Sequence, residues 1–227
     1  MQLDLQQSFS CGAVTYPIDS GSPDALLQHA NTALAKARPL GHGAQLLYRP
    51  EFSTAIERRI QLEVQLEDVL REQGLHLVYQ PLVGAEALVR WRQADGTDVP
   101  PDAFVPLAES TGQIERLTSW LIETVCAQLR QWREAGKPLN QLALNVSGRH
   151  FNADGIGLEE LLLLSLARHG IAPTSLELEV TETALLLDRK RARRQLQRLM
   201  RRGFSIALDD FGTGYSSLSI LQFFPVK

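Results

Sequence analysis

SIALDDFGTGYSSL, Ser205 to Leu218, ends an alternating apolar run in two adjacent aspartates and continues at once into a loop rich in glycine and hydroxyl groups. In its first five residues Ile206 and Leu208 fall on one face of a strand and Ala207 and Asp209 on the other, because successive side chains point to opposite sides. Two upstream segments read the same way. In LALNV, Leu142 to Val146, Leu142 and Leu144 oppose Ala143 and Asn145. In LELEV, Leu176 to Val180, the apolar side chains oppose Glu177 and Glu179. The leucine face is expected to pack on helices, and the opposite face to carry Asn145, Glu179 and Asp209 near the C-terminal ends of their strands. These three recur at intervals of roughly thirty residues, about one strand–helix unit of a (β/α) barrel, where active sites form at that end.

The rest of the chain from Leu75 onward fits this reading. LHLVYQ and AEALVRW are two further strand candidates, and helical stretches run through SWLIETVCAQLRQWREAG, LEELLLLSLARHG and RKRARRQLQRLMRRG. Strands alternating with helices predict a parallel α/β fold. Upstream, residues 51–73 contain neither Gly nor Pro, and Leu62, Leu66, Val69 and Leu70 fall on one helix face. That spacing predicts a helix joining two parts. Residues 1–50 carry an apolar stretch, CGAVTYPID, and a helix from Ala25 that Asp24 is expected to cap. The division expected is therefore 1–50, a connecting helix at 51–74, and 75–227.

Composition narrows the function. The chain has 227 residues, a hydrophobic share of 44% and a formal net charge of −3. No global basic field points to a nucleic-acid polymer. The basic run Arg189 to Arg202 alternates with leucines at helical spacing and reads as a solvated helix face. Two distant cysteines, Cys11 and Cys126, give neither a disulfide framework nor a zinc spacing and suit a reducing cytoplasm. The apolar run Leu158–Leu166 is too short to span a bilayer. A soluble, cytoplasmic chain is expected, with room for a membrane-tethered sensor outside it.

An amide and two carboxylates would thus converge at one barrel mouth, with Glu86 in AEALVRW as a fourth member. Carboxylates held that close raise one another's pKa, and a hard divalent cation removes the conflict. Oxygen-only donors suit Mg²⁺ or Mn²⁺. Asp210 points away from Asp209 and is a candidate for a second ion. A plainer reading has Asp209 and Asp210 capping the following turn.

YQP (Tyr79–Pro81), EALVRW (Glu86–Trp91), NVS (Asn145–Ser147), EVTE (Glu179–Glu182) and DDFGTGYSSL (Asp209–Leu218) occur in the order of the EAL domain, the cyclic di-GMP phosphodiesterase module of bacterial signalling, which residues 75–227 resemble. The resemblance implies a TIM-like barrel of EAL type. It implies one metal on Glu86, Asn145, Glu179 and Asp209, and a second on Asp210. Glu86, Asp209, Asp210 and Glu182 would be the catalytic group, with Glu182 anchoring the FGTGYSS loop. Gln80 would contact a guanine edge, Arg90 a substrate phosphate, and Leu88 would line the substrate site. The implied reaction is two-metal hydrolysis of cyclic di-GMP to linear pGpG by a homodimer formed through this domain, downstream of a sensory domain. The alternatives are a catalytically silent cyclic di-GMP receptor and a signalling scaffold.

CGAVTYPID and ALLQHANTALAKARPLGHG resemble the C-terminal part of a GGDEF domain, as in a tandem GGDEF–EAL arrangement. That family usually has Ala-Asp where this chain has Ala30–Asn31, and Gly-Arg-Asn where it has Gly41–His42–Gly43. The signature loop is absent, so no cyclase activity is expected. Family members also carry a longer hairpin between YQP and GAEAL, and a catalytic lysine that would lie beyond Lys227. Five strand candidates do not close an eight-stranded barrel, so the barrel is expected to be incomplete and a polypeptide ending at Lys227 inactive on its own.

Overall fold

A computed structural model describes residues 8–72, 74–81, 84–151, 157–181 and 188–209. Glu182, Asp210, the FGTGYSS loop and Lys227 lie outside the described residues. The chain divides into two compact units, Met1–Val64 and Gln65–Lys227.

In the first unit, β1 (Cys11–Ala13) pairs in parallel with β2 (Gln45–Leu47), and α1 (Pro23–Ala37) connects them. Asp24 is not the cap of α1 that the sequence suggested. Ser22 holds the N-cap position, Pro23 is the first helical residue, and Asp24 lies in the first turn, where its charge favours the positive end of the helix dipole. Gly12 is required by close approach, since a Cβ there would come within 2.3 Å of Ala30 O and Leu34 N of α1. His29 stacks on Tyr48 with ring centroids 4.0 Å apart, and the Tyr48 hydroxyl pairs with Ser53 Oγ at 2.8 Å. The Gly- and Pro-free run forms α2 (Pro50–Glu72), inside which the boundary between the units falls.

The second unit is built on β3 (Leu75–Pro81), β4 (Ala85–Arg92), β5 (Asp98–Val99), α3 (Pro101–Thr111), α4 (Ile114–Glu134), β6 (Leu142–Asn145), α5 (Leu158–His169), β7 (Leu176–Thr181), α6 (Arg189–Arg201) and β8 (Ser205–Asp209). The strand order is β3-β4-β6-β7-β8, with β5 on β4. From β4 to β8 the main path is parallel, and helices form the connections. The first pair corrects the all-parallel expectation: β3 and β4 run antiparallel. Only Leu82–Gly84 separate them, far too few for the dozen or more residues of a parallel crossover. The short β5, folded back on β4 through Asp95–Gly96, and helix α3 are elements the sequence pattern did not single out.

The helices follow local rules. Pro101 begins α3, where the missing N–H costs nothing. Gly112 closes it at φ 79°, a left-handed position natural to glycine. Asp188 caps α6, its Oδ1 accepting from Arg191 N at 3.0 Å. The stripe Leu121, Val125 and Leu129 of α4 is buried against the sheet core, as helical spacing requires, and Leu117, one turn earlier, is buried too.

As expected, the leucine face is the packed one. Leu142, Leu144, Leu176, Leu178, Val180 and Ile206 are all buried, and they cluster with Ile122 and Val125 of α4, Leu162 and Leu166 of α5, and Leu196 and Leu199 of α6. Leu178 sits on the strand between β6 and β8. Leu178→Ala should cost about 2–5 kcal/mol through lost burial and the cavity left behind. A shift in the urea unfolding midpoint at unchanged slope reads it, and no shift would contradict this core assignment.

Candidate active site

The opposite face of the same sheet is polar. Asn145 ends β6, Glu179 lies two residues from the end of β7, and Asp209 ends β8. Glu86 is the second residue of β4, so it enters from the start of its strand. The register shows how four strands present these groups together. Glu86 is level with Ala143, Ala143 with Glu177, and Glu177 with Ser205. Asn145 and Glu179 lie opposite each other, two residues further along, and Asp209 is four residues beyond Ser205. The set therefore climbs a little over one residue per strand. Closing eight strands with a shear of eight imposes a stagger of about that size, so residues staggered this way sit at similar heights on a barrel axis.

Contacts join part of this set. Asn145 Nδ2 donates to Glu86 Oε1 at 2.8 Å. The Glu86 and Glu179 carboxyls are within hydrogen-bond reach of each other. Burial, then the charges of Glu86 and Asp209, push the Glu179 carboxyl up to about 7. Asp209 acts on Glu179 through charge. Among the described residues no three His, Cys, Asp or Glu side chains are grouped tightly enough to hold a metal ion. The donor chemistry nonetheless fits one: three carboxylates and an amide are all oxygen donors, and the Glu179 carboxyl, raised first by burial and then by the charges of Glu86 and Asp209, carries a repulsion that a hard divalent cation would relieve.

The remaining candidates flank this group. Gln80 of β3 is the antiparallel partner of Glu86, so the two side chains share a face. Leu88 and Arg90 follow Glu86 on that face, and both line a cleft of about 360 Å³ together with Asn145 and Asp209. Arg90 Nη1 donates to Val89 O at 2.8 Å, which fixes one arm of the guanidinium of this cleft-lining residue.

Two features escaped the sequence reading. Glu109 of α3 accepts from Ser147 Oγ at 2.6 Å, and Ser147 Oγ in turn accepts from Arg149 N at 3.2 Å. The turn that follows Asn145 is thereby pinned to α3, and both Glu109 and Ser147 line the cleft. A contact between residues so far apart in sequence leaves no periodic signal. The second feature is Gly84, two residues before Glu86. A Cβ there would stand 2.2 Å from Gln141 O, the carbonyl that accepts from Ala85 N at 3.2 Å. Glycine thus lets β4 close on β6 where Glu86 meets Asn145.

The chain belongs to the EAL domain family, which matches residues 63–227. Over 99% of its length it is 32% identical to the bifunctional diguanylate cyclase/cyclic di-GMP phosphodiesterase MucR of Pseudomonas aeruginosa, covering 34% of that protein. Over 98% of its length it is 34% identical to the cyclic di-GMP phosphodiesterase NbdA of the same organism, covering 29% of it. The chain thus spans about a third of the length of these relatives. The solved PaMucR phosphodiesterase in complex with c-di-GMP superposes with a TM-score of 0.67 at 36% identity, over 74% of this chain and 70% of that one.

Two outcomes follow from the site. The folded-state pKa of Glu179 lies above the ordinary value of 4.5, so its contribution to stability is fully present below pH 4.5 and is lost as pH rises through about 7. In excess chelator, Glu179→Gln should therefore raise the melting temperature relative to the parent chain more at pH 8 than at pH 5, and an equal gap at both pH values would contradict the crowding of these carboxylates. Gly84→Ala should cost about 1–3 kcal/mol by forcing β4 and β6 apart, measured by chemical denaturation; unchanged stability would show that the close approach to Gln141 is not needed.

Proposed function

We propose that the protein containing this chain hydrolyses cyclic di-GMP to linear pGpG with Mg²⁺ or Mn²⁺. The observation that carries this reading is the crowding of Glu86, Glu179 and Asp209 beside Asn145 on the polar face of the sheet, with a carboxyl raised to about 7. Glu86, Asn145, Glu179 and Asp209 would hold one cation and Asp210 would contribute to a second. When bound, such cations offset charge on the phosphoryl oxygens and lower the pKa of water. Arg90, which lines the cleft, would contact a substrate phosphate, where the planar guanidinium fork suits oxyanions. Gln80, beside Glu86, offers an amide to a guanine edge, and Leu88 supplies an apolar wall. Glu182 would anchor the FGTGYSS loop, and Gly212 and Gly214 would give that loop its freedom.

The matched relatives support the substrate, because MucR and NbdA are both named as acting on cyclic di-GMP and the PaMucR structure holds it. The reading extends to the whole protein. Residues 1–50 are the C-terminal remnant of a GGDEF-like domain, 51–74 a connecting helix and 75–227 the catalytic domain, acting as a homodimer under an upstream sensor in the cytoplasm. The match to MucR over 99% of this chain reaches well ahead of residue 63, which supports the tandem arrangement. Among the described residues no helix is long and apolar enough to cross a membrane.

The second reading is a receptor that binds cyclic di-GMP on the same residues without cleaving it. A turnover assay with the parent protein separates the two. Hydrolysis in Mn²⁺ should fall by several orders of magnitude in Glu86→Gln, since a lost ligand removes the cation, and should stop in excess chelator. Turnover that persists in chelator would overturn the metal role. Tight binding of cyclic di-GMP without turnover would establish the receptor.

A further inference from the structure

Eight of the chain's 23 Lys and Arg side chains lie between Arg189 and Arg202, with no acidic residue among them. The rest of the chain keeps 15 cationic and 26 acidic side chains, so this one helix is a local exception on an acidic protein. α6 lies flush against the body: Ala192, Leu196 and Leu199 are buried in the sheet core. The opposite stripe, Lys190, Arg194 and Arg201 at helical spacing, is exposed. Arg198 and Arg202 are drawn to Glu159 of α5, at 3.6 and 2.9 Å. Among the described residues Lys190, Arg194 and Arg201 have no carboxylate within ion-pair distance.

We infer that the outward stripe Lys190–Arg194–Arg201 of α6 docks the protein electrostatically on an anionic phospholipid surface. Shape argues for an extended partner: an open hollow of about 640 Å³, lined among the described residues by α6 and its cap, runs along the helix and presents guanidinium groups in a row. A helix seated flush on its own domain offers a row of guanidinium groups to a plane but does not protrude into a nucleic-acid groove. Residues 188–203 contain no aromatic side chain on which bases could stack. The apolar side of α6 is committed to the core, so the helix does not insert, and attachment rests on charge. The arginine fork suits lipid phosphates. The stripe is on the outside of the leucine layer, and the polar face with Glu86 and Glu179 is on the inside, so docking leaves the cleft open.

The test is co-sedimentation of the 227-residue chain with vesicles of phosphatidylcholine containing increasing phosphatidylglycerol. Binding should rise with the phosphatidylglycerol fraction, be absent on pure phosphatidylcholine, and collapse toward 1 M salt, where the screening length falls to about 3 Å. The triple variant Lys190→Gln/Arg194→Gln/Arg201→Gln should lose roughly a hundredfold in affinity, with its circular dichroism melt unchanged. Should that variant fail to fold, the salt titration of the parent chain still decides. Equal binding to neutral vesicles, salt-insensitive binding, or no loss in the folded variant would overturn the proposal. Tighter binding to duplex DNA than to the anionic vesicles would overturn it in favour of a nucleic-acid surface.

Discussion

Glu179 is a half-buried carboxylate set within reach of a second carboxylate and within the field of a third, and nothing in its own strand compensates it. Such an arrangement is costly, and it persists because the other side of the strand is over-determined. Leu176, Leu178 and Val180 are all buried between the sheet and its helices, and a one-residue slip of β7 would exchange them for Glu177, Glu179 and Thr181. The hydrophobic register thus holds the charges in place, and the same argument applies to Leu142 and Leu144 behind Asn145 and to Ile206 behind Asp209. The site is a by-product of alternation on a sheet whose apolar half will not move.

Alternation alone does not bring side chains from four strands to one place. The stagger does that. Glu86 enters two residues behind Asn145 and four behind Asp209 in register, and the long glutamate side chain spans the offset to accept from Asn145. The antiparallel β3 adds Gln80 directly across from Glu86, a neighbour that a parallel first strand entering by a crossover would not supply. Gly84 then matters for a reason separate from turn geometry: without a Cβ it lets the two backbones meet where the first carboxylate must be placed.

This division of labour explains which parts were legible in the sequence. The five strand candidates, the buried faces of α4, α5 and α6, and the grouping of Asn145, Glu179 and Asp209 on one face all follow from period two and period 3.6, which are local properties. The direction of β3 was not read, although the three residues between Pro81 and Ala85 exclude a crossover. The sequence places the cap of α1 at Asp24, two residues beyond the observed Ser22, because Ser22 and Asp24 flank the same proline and both residue types cap well. The clamp from Glu109 to Ser147 was invisible, since it joins α3 to a turn 38 residues away and leaves no pattern in either segment.

The unit β7–α6–β8 concentrates opposite charges on its two sides, and the leucine layer decides that they do not neutralise each other. Eight cationic side chains lie between Arg189 and Arg202, on α6 and its C-cap, yet none of them is among the groups that shift Glu179; its neighbours in that balance are Glu86, Asp209 and Glu177, all acidic. Leu178, Leu196 and Leu199 fill the space between, so the guanidinium groups reach solvent on their own side and the carboxylates face only one another. A protein that merely needed a stable polar face could have paired these charges across a shorter distance. Keeping them apart leaves the carboxylates to raise one another's pKa on one side of the leucine layer and the guanidinium groups to face solvent on the other.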